Sequence, residues 1–155
     1  MPEPVPVKLR VFLDTSVFSA YHDDRVPDRR AHTERFWERR KEFELGTSAL
    51  AREELAFTPD PTLRARLLAL LDDVTVHPMT GGMQELARQY VAEGVFGQSM
   101  FNDAVHVAAA VLTEHDVLLS WNFQHLVNRR RRSEVNKVNV ALTLPAIEIL
   151  APPEL

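Results

Sequence analysis

Two polar side chains follow short apolar segments of the sequence. Asp14 comes directly after the β-forming run Lys8–Leu13, and Asn122 comes just after the apolar run Asp116–Ser120. Because the carboxyl ends of parallel strands meet at one edge of a sheet, neighbouring strands would bring these two side chains close together. A carboxylate and an amide at such an edge supply oxygen ligands, which are the ligands that hard divalent cations prefer.

Two further carboxylates lie in segments with helical periodicity. Glu54 shares a helix face with the apolar residues four positions before it and three after it, although the neighbouring Glu53 fits almost as well. Asp103 stands in the first turn of the apolar segment Asn102–Leu112. Several carboxylates in a partly buried crevice raise one another's pKa values, a cost that a divalent cation removes. The chain has 6 His and no Cys, so a carboxylate set favours Mg²⁺ or Mn²⁺ over Zn²⁺.

Each of these residues also fits a structural role. Asp14 fits the N-cap of a following helix, and Asp103 fits a partner of the helix dipole worth about 0.3–1 kcal/mol. A helical glutamate is more often a solvated charge, and a histidine such as His106 more often lies in the core than binds a metal. Trp121 and Phe123 are expected to be core aromatics rather than platforms for bases. The spacing alone leaves both interpretations open.

The segments around these residues are typical of one α/β domain. Short strands separated by helices predict a mostly parallel sheet, and no repeat or linker divides residues 1–155. The predicted elements are a strand at Lys8–Leu13, a helix from Thr15, a polar helix from about Asp28 that closes at Leu45-Gly46, a helix opened by Thr47-Ser48, a strand at Val74–His77, helices at Met83–Glu93 and Asn102–Leu112, and strands at Asp116–Ser120 and Ile147–Leu150.

Composition excludes several classes of protein. With 18 Lys+Arg against 22 Asp+Glu, the net charge is −4, so any contact with nucleic acid must be local. The lack of cysteine removes disulfides and thiolate chemistry. The segment Met1–Arg10 has no apolar core of a signal peptide, and no apolar run approaches the roughly 20 residues that span a bilayer. A cytoplasmic protein without a membrane span is expected.

Two surface features suggest partners. The basic run Arg129, Arg130, Arg131 and Arg132 follows the Asn122 edge and predicts contacts with RNA phosphates, although a solvated charge run at a helix start fits equally well. Phe36 and Trp37 lie in the polar helix that is predicted from about Asp28. They are expected either in the core or in a groove that accepts a partner helix.

The order and spacing of four short motifs resemble those of the PIN-domain nucleases, and among them the VapC-like toxins of toxin–antitoxin pairs. The motifs are Val11–Ser16, Thr47–Leu55, Asn102–Ala110 and Leu118–Leu126, with a closing segment at Pro145–Pro152. The resemblance covers nearly the whole chain. It implies a PIN-like α/β/α sandwich around a mostly parallel sheet.

The resemblance also implies roles for the site residues. Its metal-binding carboxylates fall on Asp14, Glu54 and Asp103, which favours Glu54 over Glu53. The fourth position, commonly Asp in the wider family, is Asn122 here. Because an amide brings no charge, a second metal is expected to bind weakly or only together with substrate.

The remaining implied roles are supporting ones. Thr15 or Ser16 is expected to orient a bound water, and Asn122 to position a ligand or the phosphate. His106 and His125 are expected to lie behind the metal ligands.

The function implied by the resemblance is that of a Mg²⁺- or Mn²⁺-dependent endoribonuclease, the toxin component of a type II toxin–antitoxin system. The implied reaction is hydrolysis of RNA phosphodiester bonds, with water activated by the metal. The implied partners are RNA, a small antitoxin and a second copy of the chain. The alternatives are a catalytically weak PIN-like module that binds RNA or protein, and a PIN nuclease of RNA or DNA processing without an antitoxin.

Overall fold

Residues 7–155, which the computed structural model describes, contain a sheet of five parallel strands. The strands are β1 (Leu9–Leu13), β2 (Phe43–Ser48), β3 (Thr75–His77), β4 (Val117–Leu119) and β5 (Glu148–Leu150). Their spatial order is β3-β2-β1-β4-β5, so β1 is the middle strand. The expectation that Met1–Arg10 contains no signal peptide falls largely on residues 1–6, which lie outside the described residues.

Helices flank this sheet and connect its strands. Within the described residues they are α1 (Thr15–Ser19), α2 (Pro27–Glu38), α3 (Ala49–Ala56), α4 (Pro61–Ala69), α5 (Gly81–Ala92), α6 (Phe101–Leu112) and α7 (Arg129–Ala141). The predicted α/β/α architecture is confirmed, with all strands parallel rather than most of them. In the part of the chain that is described, no helix has the length and apolar character needed to cross a membrane.

The prediction of one polar helix from about Asp28 to Leu45-Gly46 is wrong in its second half. The helix α2 ends at Glu38, and Phe43–Ser48 forms β2. The charged residues concealed the strand, because Glu44 lies opposite Arg10 in the β1–β2 register and forms a 2.8 Å ion pair with it. Gly46 is therefore a strand residue and not a helix cap. The helix α4 was not predicted at all.

Gly46 has a packing role in this strand. A Cβ atom at this position would lie 2.4 Å from Nε2 of His115 and 3.1 Å from Nε2 of His77. Glycine thus leaves the space that the two imidazoles occupy against β2.

The helix α6 is apolar nearly all round because it lies at the centre of the domain. Its residues Ala104–Val111 are all buried, and it packs along α5 and against β2 and β4. Asp103 precedes this buried segment by one residue. The most apolar helix of the sequence therefore carries a carboxylate at the boundary between core and solvent.

The aromatic side chains divide between core and surface. Phe36 and Trp37 are 3% and 4% exposed, which confirms the core alternative and not the partner groove. Trp121 is also buried, and its Nε1 donates to Oγ1 of Thr33 at 2.9 Å. The prediction that Phe123 is a core residue is wrong, because 48% of it is exposed. It follows β4 where the chain leaves the sheet, and its ring lies beside Trp121 and the guanidinium of Arg29.

Candidate active site

The sheet has a topological switch point between β1 and β4. The chain runs outward from β1 through β2 and β3 on one side, and through β4 and β5 on the other. Leu13 pairs with Leu119, and the backbone N–H of Asp14 donates to the carbonyl of Leu119 at 3.2 Å. Asp14 and Asn122 thus leave neighbouring strands at the same edge, as predicted. In parallel α/β sheets, the crevice at this point is the usual place for a ligand.

Asp14 is held by donors to both of its carboxylate oxygens. Oδ1 accepts from the backbone N–H and the hydroxyl of Ser16, at 2.9 and 2.5 Å, and Oδ2 accepts from the hydroxyl of Ser120 at 2.5 Å. Each hydroxyl in turn accepts a backbone N–H, from Trp121 at 2.8 Å and from Asn122 at 3.0 Å. Asp14 caps α1 and also belongs to a rigid network, so the capping role and a site role coexist.

Burial dominates the electrostatics of Asp14, which is 5% exposed. Burial raises the pKa of this carboxyl, against the lowering by the charge of His106 and by the hydrogen bonds from Ser120 and Ser16. The protein's own hydrogen bonds and charges therefore do not fully offset the cost of burying the ionised carboxylate. A cation placed beside it would supply the missing compensation.

Glu54 reaches the same region from α3. Its Oε1 lies 2.8 Å from Nε2 of His106, while Glu53 is exposed. Of the two glutamates, Glu54 is therefore the one that faces inward. His106 is a buried α6 residue whose Nδ1 has no hydrogen-bond partner within the described residues.

Asp103 is joined to Asn122 through His125. Its Oδ2 lies 2.9 Å from Nδ1 of His125. The backbone N–H of His125 donates to Oδ1 of Asn122 at 2.9 Å, so the amide stabilises the turn that carries the imidazole. Asn122 therefore acts on the geometry of the loop, a role that requires an oxygen acceptor and not a charge.

His106 lies within electrostatic reach of all three carboxylates. Burial of the ring lowers its pKa, but the hydrogen bond with Glu54 and the charges of Asp14, Glu54 and Asp103 outweigh burial and raise the pKa overall. One carboxylate, Glu54, thus contacts this buried imidazole, and the charges of Asp14 and Asp103 act on it without contact. The arrangement stabilises positive charge at the switch point of the sheet.

The donor set fits a hard divalent cation. It consists of carboxylates, an amide and hydroxyls, including the buried Oγ1 of Thr15, which has no partner within the described residues. Ser16, in contrast, is engaged with Asp14 and Trp121. Within residues 7–155, no three His, Asp or Glu side chains are already close enough to hold a metal ion together.

The basic run does not form one surface. It opens α7, where a rotation of about 100° per residue separates neighbouring side chains. Arg130 pairs with Glu134 at 2.9 Å, Arg132 pairs with Glu154 at 3.2 Å, and Arg131 packs over the ring of Phe96. Arg129 is exposed. The four side chains thus differ in their surroundings.

Ser120 was not singled out by the sequence reasoning. The available signal is a hydroxyl directly after a buried strand that neighbours the strand ending at Asp14. Arg29 of α2 was also missed. Its guanidinium lies 5.1 Å from the ring centroid of Trp121 and 6.0 Å from that of Phe123, and nothing local in the sequence indicates this contact.

Comparisons with known proteins agree with this geometry. The family model of the PIN domain matches residues 11–122. No curated protein matches the chain. Among solved structures, the chain is similar to VapC20 of Mycobacterium tuberculosis, a sarcin-ricin loop cleaving toxin, with 19% identity, a TM-score of 0.57 and coverage of 74% of this chain and 92% of that one.

A second solved structure shows the same fold over more of the chain. It is VapBC2 from Rickettsia felis bound to a DNA fragment from their promoter, with 14% identity, a TM-score of 0.58 and coverage of 92% of this chain and 98% of that one. The match to the PIN-domain model runs from within β1 to Asn122 and includes Asp14, Glu54 and Asp103. The chain therefore belongs to the PIN-domain family.

Proposed function

We propose that this protein is a Mg²⁺- or Mn²⁺-dependent endoribonuclease and the toxin component of a type II toxin–antitoxin pair. The observation that carries the proposal is the buried imidazole of His106, which lies 2.8 Å from Glu54 and on which the charges of Asp14 and Asp103 also act. Carboxylates gathered in this way favour a cation, and carboxylate-held Mg²⁺ typically serves phosphate chemistry.

The cation would be held by Asp14, Glu54 and Asp103, directly or through water. When bound, it would supply charge neutralisation at the phosphate and a lowered pKa for the attacking water. The chain's own residues would fix the ligands: Ser16 and Ser120 hold Asp14 in one orientation. Thr15 offers a hydroxyl without a partner in the described part of the chain, suited to orienting a water molecule.

The imidazoles are proposed as resting partners of the acidic groups. His106 holds Glu54 and His125 holds Asp103 before the cation arrives. Both histidines would then lie behind the ligands, and Asn122 would position His125 through the turn. Such supporting contacts commonly set metal affinity within a factor of 10–100.

RNA and an antitoxin are the partners that the fold relatives support. VapC20 is a toxin that cleaves the sarcin-ricin loop, and VapBC2 is bound to a DNA fragment from their promoter. By analogy of fold, we propose RNA as the substrate and a small antitoxin as the protein partner. A homodimer and a cytoplasmic location stay predictions.

A matched pair of variants tests the proposal. Glu54→Gln removes an inward-facing carboxylate, and Glu53→Gln removes an exposed one from the adjacent position of the same helix. Purified proteins are incubated with total RNA in Mn²⁺ or in EDTA. We expect cleavage by the wild type and Glu53→Gln in Mn²⁺ alone, and none by Glu54→Gln. Equal cleavage by both variants would contradict the site.

A second candidate function is a PIN-like module that binds RNA or protein without strong catalysis. The observation that favours it is that no three metal-ligating side chains are preassembled within residues 7–155, and that Asn122 replaces a carboxylate. Such a module needs neither cation binding nor cleavage. RNA binding without cleavage in any divalent cation would support this candidate over the first.

A further inference from the structure

A cavity of about 410 Å³ opens beside the candidate active site. It lies between the start of α7 and the connection from α5 to α6, and we refer to it as the α7 cavity. Its polar lining side chains are Gln124, Asn128, Arg130, Arg131 and Glu134. The volume lies in the range of about 300–1,000 Å³ that is typical of small-molecule sites, which suits one nucleotide and not a duplex.

The α7 cavity adjoins the residue that binds Asp103, one of the three carboxylates of the acidic cluster (Asp14, Glu54 and Asp103). Gln124 lines the cavity and directly precedes His125, whose ring binds Asp103 at 2.9 Å. The charge of Asp103 also acts on Arg131, whose pKa is lowered by burial and raised again in part by Glu134 and Asp103. A strand of nucleic acid with one phosphate at the carboxylates therefore has its next nucleotide within reach of this cavity.

Arg131 is a fixed cation at the wall of the cavity. Its guanidinium lies 4.5 Å from the ring centroid of Phe96 and donates to the carbonyl of Val95 and towards Sδ of Met100. Within residues 7–155, no carboxylate forms an ion pair with it. A partly buried guanidinium without an ion partner is oriented before any anion binds, which lowers the entropy cost of binding.

Arg130 and Gln124 are the adaptable groups of the cavity. Arg130 is 86% exposed, and its single ion pair with Glu134 is of the weak surface type. The backbone carbonyl of Gln124 is fixed by Nδ2 of Asn128 at 3.1 Å, while its amide side chain has no hydrogen-bond partner among the described residues. The side chain of Asn128 is itself used, since its Oδ1 caps α7.

We propose that the α7 cavity binds one nucleotide of the substrate RNA next to the scissile phosphate. Arg131 and Arg130 contact the phosphate, and the amide of Gln124 faces the edge of the base. Two guanidinium groups against one carboxylate make this cavity locally positive in a chain of net charge −4. The inference rests on the proposed function, because it takes RNA as the substrate.

The test measures RNA binding separately from cleavage. Fluorescence anisotropy is recorded for labelled single-stranded rA6, rC6 and rU6 in EDTA, which keeps RNA intact, over a range of salt concentrations. Arg130→Gln is compared with Arg88→Gln, an exposed arginine of α5 that also pairs with a glutamate of its own helix. Gln124→Ala is compared with Gln84→Ala, an exposed glutamine away from the cavity.

Arg130→Gln is expected to weaken binding by about tenfold at low salt and to reduce the log–log salt slope by about 0.7. Gln124→Ala is expected to leave the slope unchanged and to reduce the spread of affinities among the three RNAs by about fivefold. The two control variants are expected to match the wild type.

Wild-type affinities in Arg130→Gln and Gln124→Ala would overturn the proposal that the α7 cavity binds a nucleotide. The proposed nuclease function would be unaffected. Failure of the wild type to bind any of the three RNAs would contradict both. If the variants alter binding as expected but the wild type cleaves no RNA in Mn²⁺, the cavity is supported and the proposed catalysis is not.

Discussion

Two buried histidines of this domain lie in opposite electrostatic surroundings. His106 is 3% exposed and His115 is 6% exposed, so burial disfavours the charged form of both rings. At His106, the hydrogen bond with Glu54 and the charges of Asp14, Glu54 and Asp103 outweigh this burial and raise the pKa. This ring lies in a region that stabilises positive charge.

At His115 the compensation is too weak, because only the charge of Asp116 and a backbone hydrogen bond with Ala110 act to raise its pKa. Burial, the guanidinium of Arg10 and the neighbouring ring of His77 lower its pKa to about 4. Its Nδ1 lies 2.7 Å from Oγ1 of Thr113, which itself donates to the carbonyl of Ala109. His115 is thus a neutral packing residue with its Nδ1–H donating to the threonine.

The difference shows that burial alone does not identify a site. The domain buries two imidazoles to a similar extent. Only at His106 do the charges of nearby acidic groups outweigh the effect of burial on the pKa. The neighbours of a buried titratable group, and not its depth, indicate where a cation is expected.

The largest expected effect comes from removing one of the acidic groups near His106. Asp14→Asn keeps the shape of the side chain and removes its charge, so we expect RNA cleavage in Mn²⁺ to fall at least about 100-fold. Thermal unfolding in EDTA shows whether the variant is folded, since the amide NH2 cannot accept a hydrogen bond from the hydroxyl of Ser16 or Ser120. Cleavage assays measure the effect, and retained cleavage would remove Asp14 from the site.

The next largest effect concerns the packing of His115. In Gly46→Ala, the new Cβ would lie 2.4 Å from Nε2 of this buried ring, so we expect a loss of about 2–3 kcal/mol in the free energy of unfolding. Urea unfolding measures it, with Gly81→Ala as the control because no atom lies within 4 Å of a Cβ there. In a His115→Ala background, Gly46→Ala should cost much less. Equal costs in both backgrounds would contradict the close contact.

Acid destabilisation tests the low pKa of His115. Because the folded-state pKa is about 4 and the unfolded value is about 6.5, the unfolded chain binds the proton first as the pH falls. This ring therefore contributes stability that is present above pH 6.5 and is lost as the pH falls towards 4. Between pH 7 and pH 5 the loss is up to about 2 kcal/mol.

His115→Gln should remove this part of the pH dependence. Urea unfolding of the wild type and the variant at pH 7 and pH 5 gives the loss of unfolding free energy in each protein. Parallel losses in the two proteins would show that His115 is protonated as easily in the folded state as in the unfolded state.

The smallest expected effect comes from removing the hydrogen bond between His115 and Thr113. Thr113→Val removes the hydroxyl that lies 2.7 Å from Nδ1, and leaves the ring donor without its partner. We expect the free energy of unfolding to fall by about 1–2 kcal/mol at pH 7. Thr62→Val is a surface control, since Thr62 is exposed. Similar changes in the unfolding free energy of the two variants would show that the contact between Thr113 and His115 does not stabilise the fold.

The sequence predicted those parts of the site that depend on local patterns. Asp14 and Asp103 stand where an apolar strand or helix meets a polar residue, and both positions were predicted together with the parallel sheet. The strand β2 was missed because it follows a run of charged residues, contains the exposed Glu44 and includes Gly46. The choice of Glu54 over Glu53 required the family resemblance.

The rest of the site depends on contacts between distant parts of the chain. The hydrogen bond between Ser120 and Asp14 spans 106 positions, and that between His106 and Glu54 spans 52. No local pattern encodes such pairs, because they form only when the strands and α6 are assembled. The same reason explains why the exposure of Phe123 was not foreseen.

The central claim is that the acidic cluster binds a divalent cation. Isothermal titration of Mn²⁺ into the purified protein tests it most directly, with Asp103→Asn in parallel and no assumption about the RNA. We predict saturable binding by the wild type that is lost in Asp103→Asn, while thermal unfolding in EDTA shows that the variant is folded. Absence of binding by the wild type, or equal binding by the folded variant, would contradict the claim.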